Sequence, residues 1–254
     1  MVCKVFLKDL SAEDNEVMDR MRRIQERFDL LKHPNVLVLV LEQVHDEKIA
    51  GQGRSFFFAY RQFVYYSLQE KIRNRIPKLS LTEKKWFILQ LLCGVSQIHQ
   101  ETMVHGDIKP ENILVTSYNQ LFLTDLVSYK PSYIKDDDLK HYNLYFGELD
   151  NNQRCYLAPE RLREQYDDSL KGHSRLERPM DIFSAGCVIA EILMDGSPLF
   201  DLARLQRYRK GAYSPQADLE RKVHSPVMVD LIMKMIELEP SKRPQINDCL
   251  LMWN

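Results

Sequence analysis

The sequence predicts an α+β fold in two parts: a small strand-rich lobe over residues 1–63 and a helical lobe over 64–254. Three observations carry this. Runs rich in β-branched and aromatic residues ("VCKVFL", "VLVLVLEQV", "RSFFFAYRQFV") fall in the first part of the chain. From Ser80 onward apolar residues recur instead at three and four positions, the period of a helix packed on one face. A length of 254 residues suits one large domain or two lobes sharing a sizeable core.

Each element has its own justification. Met1 to Leu7 is β-prone, and Ser11 then opens a helix with Asp14 three residues later, an imperfect capping box. Val17, Met21, Ile24, Phe28 and Leu31 make one apolar stripe along it. "HPNVLVLVLEQV" reads as a turn and one buried strand, and "RSFFFAYRQFV" as a second strand. Ser80 and Glu83 form a capping box, after which Trp86, Ile88, Leu91, Leu92, Val95 and Ile98 keep helical spacing up to His99. "MDIFSAGCVIAEILMDG" is apolar nearly all round and stops at Gly196, which predicts a central buried helix. "SPVMVDLIMKMIELEP" begins with Ser225 and Pro226 as N-cap and first helical residue and ends at Pro240.

Composition narrows the class. With 44% hydrophobic and 28% charged residues the chain reads as an ordinary soluble globular protein. A formal net charge of -1 excludes an electrostatic case for nucleic acid or an anionic membrane surface. Five cysteines, odd in number and with no CxxC pair, point to a reducing compartment, with neither a disulfide framework nor a zinc site. "MVCKVFLKDL" has no apolar core of signal-peptide length, and the run Val36 to Leu41 is too short to cross a bilayer, so a cytoplasmic protein without a transmembrane segment is expected. Val2 after Met1 excludes N-myristoylation of this start.

The residues that carry chemistry are Asp107, Lys109, Asn112 and Asp125 in "HGDIKPENILV" and "LTDLV". Phosphoryl transfer needs a carboxylate to orient or deprotonate the attacking hydroxyl, a cation near the moving phosphoryl group, and oxygen ligands for Mg²⁺. Asp107 and Lys109 supply the first two, and Asn112 with Asp125 the metal ligands. A lone Asp in a loop would be a turn or cap residue; the constellation is what signals catalysis.

H-x-D-x-K-P-E-N followed by "LTD" resembles the protein-kinase catalytic loop and metal-binding motif. "APE" at Ala158 to Glu160, "DIFSAG" at Asp181 to Gly186 and "KRP" with Arg243 follow in the order of a kinase large lobe. The resemblance implies a bilobal protein-kinase-like fold, ATP and Mg²⁺ as cofactors, a Glu160–Arg243 pair, and an Asp181 that braces the catalytic loop. Lys109 with Pro110 points to the serine/threonine type, hence to an alcohol side chain of a protein substrate. H-G-D-x-x-x-x-N also occurs in small-molecule kinases of the aminoglycoside and choline kinase type, which lack the Lys, the "APE" and the "DIFSAG". "HGDIK", "RCYLAPERL" and "MDIFSAGCVIAEILMDGSPLFDL" further resemble the kinase domain of the vacuolar protein sorting regulatory subunit of class III phosphatidylinositol 3-kinase, from about Lys4 to Arg243. That likeness implies the lipid kinase catalytic subunit and its complex members as partners. It also implies a role in endosomal or vacuolar sorting and autophagy, and peripheral attachment to those membranes through partners. Residues 1–254 carry the kinase part of that likeness and not the family's helical repeats or WD-repeat propeller.

Departures from the kinase pattern set further expectations. Lys4 matches the strand lysine that holds the α and β phosphates, but only three residues precede it. The N-lobe is therefore expected to lack its first two strands and Gly-rich loop, and the nine glycines form no G-x-G-x-x-G. Ile24 stands where the helix should offer Lys4 a Glu; Glu26, about 200° further round, is expected to face solvent. Gly106 replaces the Arg that would meet a phosphate, so "KDDDLKH" at 135–141 is expected to be a solvated loop without phosphorylation switching. Val127 replaces a residue able to take φ > 0, which should stiffen the metal-binding segment. Tyr60 to Phe63 would offer backbone groups to an adenine ring, and His105 would pack to steady the catalytic loop. His99, His105 and His173 lack metal-ligand spacing. Two readings stand side by side: an atypical serine/threonine kinase, and a catalytically weak or inactive pseudokinase scaffold that regulates a lipid kinase.

Overall fold

The structure, a computed structural model, describes residues 1–8, 12–49, 52–73, 78–126, 131–135, 138–146, 154–163 and 176–253. It opens with strand β1 (Val2–Lys8) and helix α1 (Ala12–Arg27). α1 buries Met21 and Ile24, and Phe28 is buried just beyond its end. Leu31 does not join that stripe and is 92% exposed. The helix has already ended, and Asp29 turns the chain by accepting backbone N–H groups from Lys32 and His33. Ser11, Val127 and His173 lie outside the described residues, as do the side chains of Asp14 and Val17.

The single strand expected over "VLVLVLEQV" is two. β2 (Val36–Leu37) pairs in parallel with β7 (Leu121–Thr124), while β3 (Val40–Ile49) pairs antiparallel with β4 (Gln52–Arg61). A continuous apolar run cannot reveal this, because both halves are strand; what divides them is the sheet each joins. Asn35 ties the first half down: its side-chain amide donates to Leu121 O at 3.0 Å, and its carbonyl accepts from Leu123 N at 2.8 Å. β1 closes the N-terminal sheet in the order β1-β4-β3, with Lys4 opposite Ala59.

A second sheet runs β2-β7-β6-β5, with β5 at Tyr66–Ser67 and β6 at Ile113–Val115. Helix α2 (Leu68–Arg73) follows β5. α3 (Leu81–Gln100) starts from the capping box expected, with both halves formed: Ser80 Oγ accepts from Glu83 N, and Glu83 Oε2 accepts from Ser80 N at 2.9 Å. Trp86 leaves the apolar stripe, half exposed, and its indole N–H donates to Asn119 O at 3.2 Å.

"KDDDLKH" is not a loop throughout. Ile134–Lys135 forms β8, parallel to β9 (Leu162–Arg163), and Leu139–Tyr145 forms helix α4. Buried Ile134, Tyr142 and Phe146 bring the segment onto the core, and Asp138 accepts from Tyr142 N as the helix starts. The charge run hid these apolar neighbours.

The central helix α5 (Arg178–Leu193) is buried along nearly all its length, as its unbroken apolar pattern requires. Gly196 follows at φ +86°, where its N–H donates back to Glu191 O. Helices α6 (Leu202–Arg209), α7 (Gln216–Lys222), α8 (Pro226–Met235) and α9 (Ile246–Trp253) complete the helical part. α8 begins at Pro226 but ends at Met235, earlier than Pro240, because residues 236–239 break out before a 3-10 turn over Pro240–Lys242.

Candidate active site

The hairpin of β6 and β7 brings the candidate residues together. Its register pairs Ile113 with Leu123, and Asn112 and Asp125 flank the hairpin at that same end, one residue before Ile113 and two after Leu123. Asn112 closes a 3-10 turn over Pro110–Asn112, and its amide donates to Asp107 Oδ2 at 2.7 Å and Asp107 O at 2.8 Å. With its NH₂ committed to Asp107, the Asn112 carbonyl oxygen is the group left to meet a cation.

Asp125 is the strained member of the set. Its φ of +66° is uncommon for a residue other than Gly and marks a backbone held by its surroundings. Its Oδ1 is enclosed and accepts no oriented hydrogen bond, yet the Lys4 ammonium lies 2.7 Å away, so the contact is an ion pair that spans from β1 to the end of β7. Arg61, at the end of β4, also senses this carboxylate: burial lowers its pKa and the Asp125 charge opposes that. Glu26 is exposed and Ile24 is buried, so α1 brings Lys4 no carboxylate from those positions.

The loop itself hangs from Asp181 at the start of α5. Asp181 Oδ2 accepts from His105 N at 2.8 Å and lies 3.0 Å from His99 Nε2, while Oδ1 accepts from Gly106 N at 2.8 Å. Burial pushes this carboxyl up, but the His99 hydrogen bond, the nearby histidines and the Gly106 N–H more than offset it, leaving it below the usual carboxylate range. His105 is wholly buried, as expected. Its Nδ1 accepts from Asp107 N, so the proton sits on Nε2 and is donated to Thr124 O at 2.9 Å. One imidazole thereby links the loop before Asp107 to the strand before Asp125. Glu160 and Arg243 meet in a bidentate pair at 2.7 and 2.8 Å, with the Arg243 side chain 0% exposed.

A cleft beside Asp107 and Lys109 is lined by Arg154, Tyr156, Arg161 and Ser184. The Arg154 guanidinium pairs with buried Glu191, whose other oxygen accepts from the Tyr156 hydroxyl at 2.5 Å. Sequence reasoning missed Arg161, which donates to Gly106 O, Ser132 O and Pro131 O from a position only 2% exposed. No local signal marks it: Glu160 precedes it and Arg163 follows two residues on, as on an ordinary charged stretch.

The protein kinase domain model matches residues 1–252. The chain belongs to the protein kinase family. This kinase domain is 39% identical over 252 residues to serine/threonine-protein kinase VPS15 of Arabidopsis thaliana, covering 98% of this chain and 16% of that protein. It is 36% identical over 254 residues to the VPS15 of Saccharomyces cerevisiae, and 33% over 255 residues to a probable VPS15 of Dictyostelium discoideum. The chain spans 17% and 12% of the length of those two relatives. No helix among the described residues is long and apolar enough to cross a membrane.

The donor set suits a hard cation held partly by phosphate. Among the described residues no cluster of three His, Cys, Asp or Glu could hold a metal alone. One enclosed carboxylate oxygen on Asp125 and one amide oxygen on Asn112 match an ion that takes few protein ligands and completes its shell with phosphates and water.

Proposed function

We propose that this kinase domain transfers the γ-phosphoryl group of ATP to a protein serine or threonine hydroxyl. The observation that carries the reading is the Asn112 amide holding the Asp107 carboxylate at 2.7 Å, on the hairpin that sets Asp125 beside it. Asp107 is the group that orients the hydroxyl and accepts its proton, and Lys109, two residues on, supplies positive charge on the same loop. Asn112 and Asp125 would hold Mg²⁺, which when bound neutralises phosphate charge. Lys4 serves the α and β phosphates, and Tyr60 to Phe63 faces the adenine. Residues 1–63 form the nucleotide-side lobe and 64–254 the lobe carrying catalysis.

By their likeness to VPS15, this chain and any sequence native to it act with a class III phosphatidylinositol 3-kinase catalytic subunit and its complex members. The setting is endosomal or vacuolar sorting and autophagy, in the cytoplasm and on those membranes through partners.

One observation favours a second reading. Lys4 and Asp125 neutralise each other at 2.7 Å, so a nucleotide must displace that pair to use either group, which suits a scaffold with weak or absent catalysis. The test is Mg²⁺-dependent phosphate transfer from ATP by the natively expressed protein and its Asp107→Asn variant. Loss of about 10²-fold or more in the variant supports the kinase. Absence of transfer in the unaltered protein, with lipid-kinase binding unchanged by Asp107→Asn, supports the scaffold.

A further inference from the structure

Gly106 carries no side chain to meet a phosphate, yet the segment after Asp125 is joined to the catalytic loop from another direction. Arg161 lies at the end of the 3-10 turn over Pro159–Arg161, immediately before β9. Its Nη1 donates to Gly106 O at 2.6 Å, its Nε to Ser132 O at 2.9 Å and its Nη2 to Pro131 O at 2.9 Å. The fork of a guanidinium suits three divergent carbonyls, which a lysine's compact ammonium could not serve together. The cation also sits 4.9 Å from the Phe146 ring centre, against the end of α4. Burial lowers the pKa of Arg161 to about 10, opposed by Asp107, Asp181 and Glu160, so the group stays charged at neutral pH.

Two neighbouring contacts act in the same sense. The Arg163 guanidinium stacks 3.4 Å over the Tyr133 ring, and β8 and β9 pair in parallel at Ile134 with Leu162. All of these partners belong to the unmodified chain.

We propose that Arg161 is a positioning residue, a built-in cation that joins the catalytic loop at Gly106 to Pro131 and Ser132 and holds that segment in place with no phosphate on it. Phosphorylation elsewhere in the family of switches works by supplying an anion to an exposed cation. Here the cation is enclosed and its donors already face carbonyl oxygens, so the segment's order is set during folding.

The test is amide hydrogen exchange on the natively expressed protein and its Arg161→Lys and Arg161→Met variants, each before and after a broad-specificity protein phosphatase. In the unaltered protein, protection over Ser132–Lys135 stays the same after phosphatase; loosening there overturns the proposal. Arg161→Met raises exchange over Ser132–Lys135 and at Gly106–Asp107 by about tenfold or more, leaving α8 and α9 unchanged. Arg161→Lys, which keeps the charge without the fork, recovers part of the protection. Protection in Arg161→Met equal to that of the unaltered protein overturns the proposal, as does no recovery in Arg161→Lys. If Arg161→Met loosens α8 and α9 as well, the phosphatase comparison on the unaltered protein decides.

The consequence for rate rests on the phosphoryl-transfer reading. There Arg161→Met lowers kcat while KM for ATP stays within about twofold, and an equal loss in both overturns a positioning role. Absence of transfer in the unaltered protein would overturn the transfer reading alone, since the exchange measurements use no catalysis.

Discussion

Gly106 offers the sharpest quantitative test, because it stands where protein kinases commonly carry Arg and the structure says what a side chain there would meet. Its φ is +75°, and a Cβ built on it would lie 2.4 Å from Leu176 Cδ1. The left-handed backbone costs a residue with a Cβ about 1–2 kcal/mol. Pushing a buried leucine aside adds an overpacking cost of about 1–3 kcal/mol. The backbone cannot relax easily, since its N–H donates to Asp181 and its C=O accepts from Arg161. Gly106→Ala should therefore lose roughly 2–5 kcal/mol, or 6–15 °C in Tm at about 3 °C per kcal/mol. Gly106→Arg should lose at least as much rather than restore a phosphate-responsive loop. Gly211 is the control: its φ is +67° but nothing lies within 4 Å of its Cβ position, so Gly211→Ala should show only the backbone cost of about 1–2 kcal/mol. Thermal and urea unfolding of Gly106→Ala, Leu176→Ala and the double variant read the contact directly. Coupling of about 1–3 kcal/mol is expected, with the double variant less damaged than the sum. Additivity within about 0.5 kcal/mol, or a Gly106→Ala no worse than Gly211→Ala, would refute the steric argument.

Other outcomes follow from the same geometry. Glu160→Gln should cost about 3–5 kcal/mol in urea unfolding, because it leaves the buried Arg243 guanidinium without its bidentate partner. Asp181 has a folded-state pKa below its ordinary 3.8, so its contribution to stability is fully present above 3.8 and disappears as pH falls through the lower folded value. Unfolding measured across that acid range should show the loss in the unaltered protein, and Asp181→Asn should flatten this part of the profile.

Much of the frame was legible along the chain because its determinants are local. The Ser80–Glu83 box is a pattern of four consecutive residues, and both of its hydrogen bonds are present. The α5 pattern, apolar on all sides, admits no solvated face, and the helix is buried. The candidate residues Asn112 and Asp125 were legible as a pair because a short hairpin, Ile113–Val115 with Leu121–Leu123, lies between them and turns the chain back on itself. Where charge or apolar density was read without a partner, the reading failed: "KDDDLKH" concealed a strand and a helix, and one apolar run held strands of two different sheets.

Residue types and spacing by themselves pointed to the protein kinase family, to which this chain belongs, and singled out the carboxylates and amide of the candidate site. The motif resemblance implied that Asp181 braces the catalytic loop; only the tertiary structure decided the individual contacts that hold it. Lys4 faces Asp125 across 121 positions of sequence, Asp181 receives the backbone of His105 and Gly106, and Arg161 joins Gly106 to Pro131 and Ser132. None of these pairings has a local signature, because a buried polar group can be satisfied by any donor or acceptor that folding brings within reach. The pairings depend on where the two sheets and the central helix finally pack, which no stretch of sequence states alone.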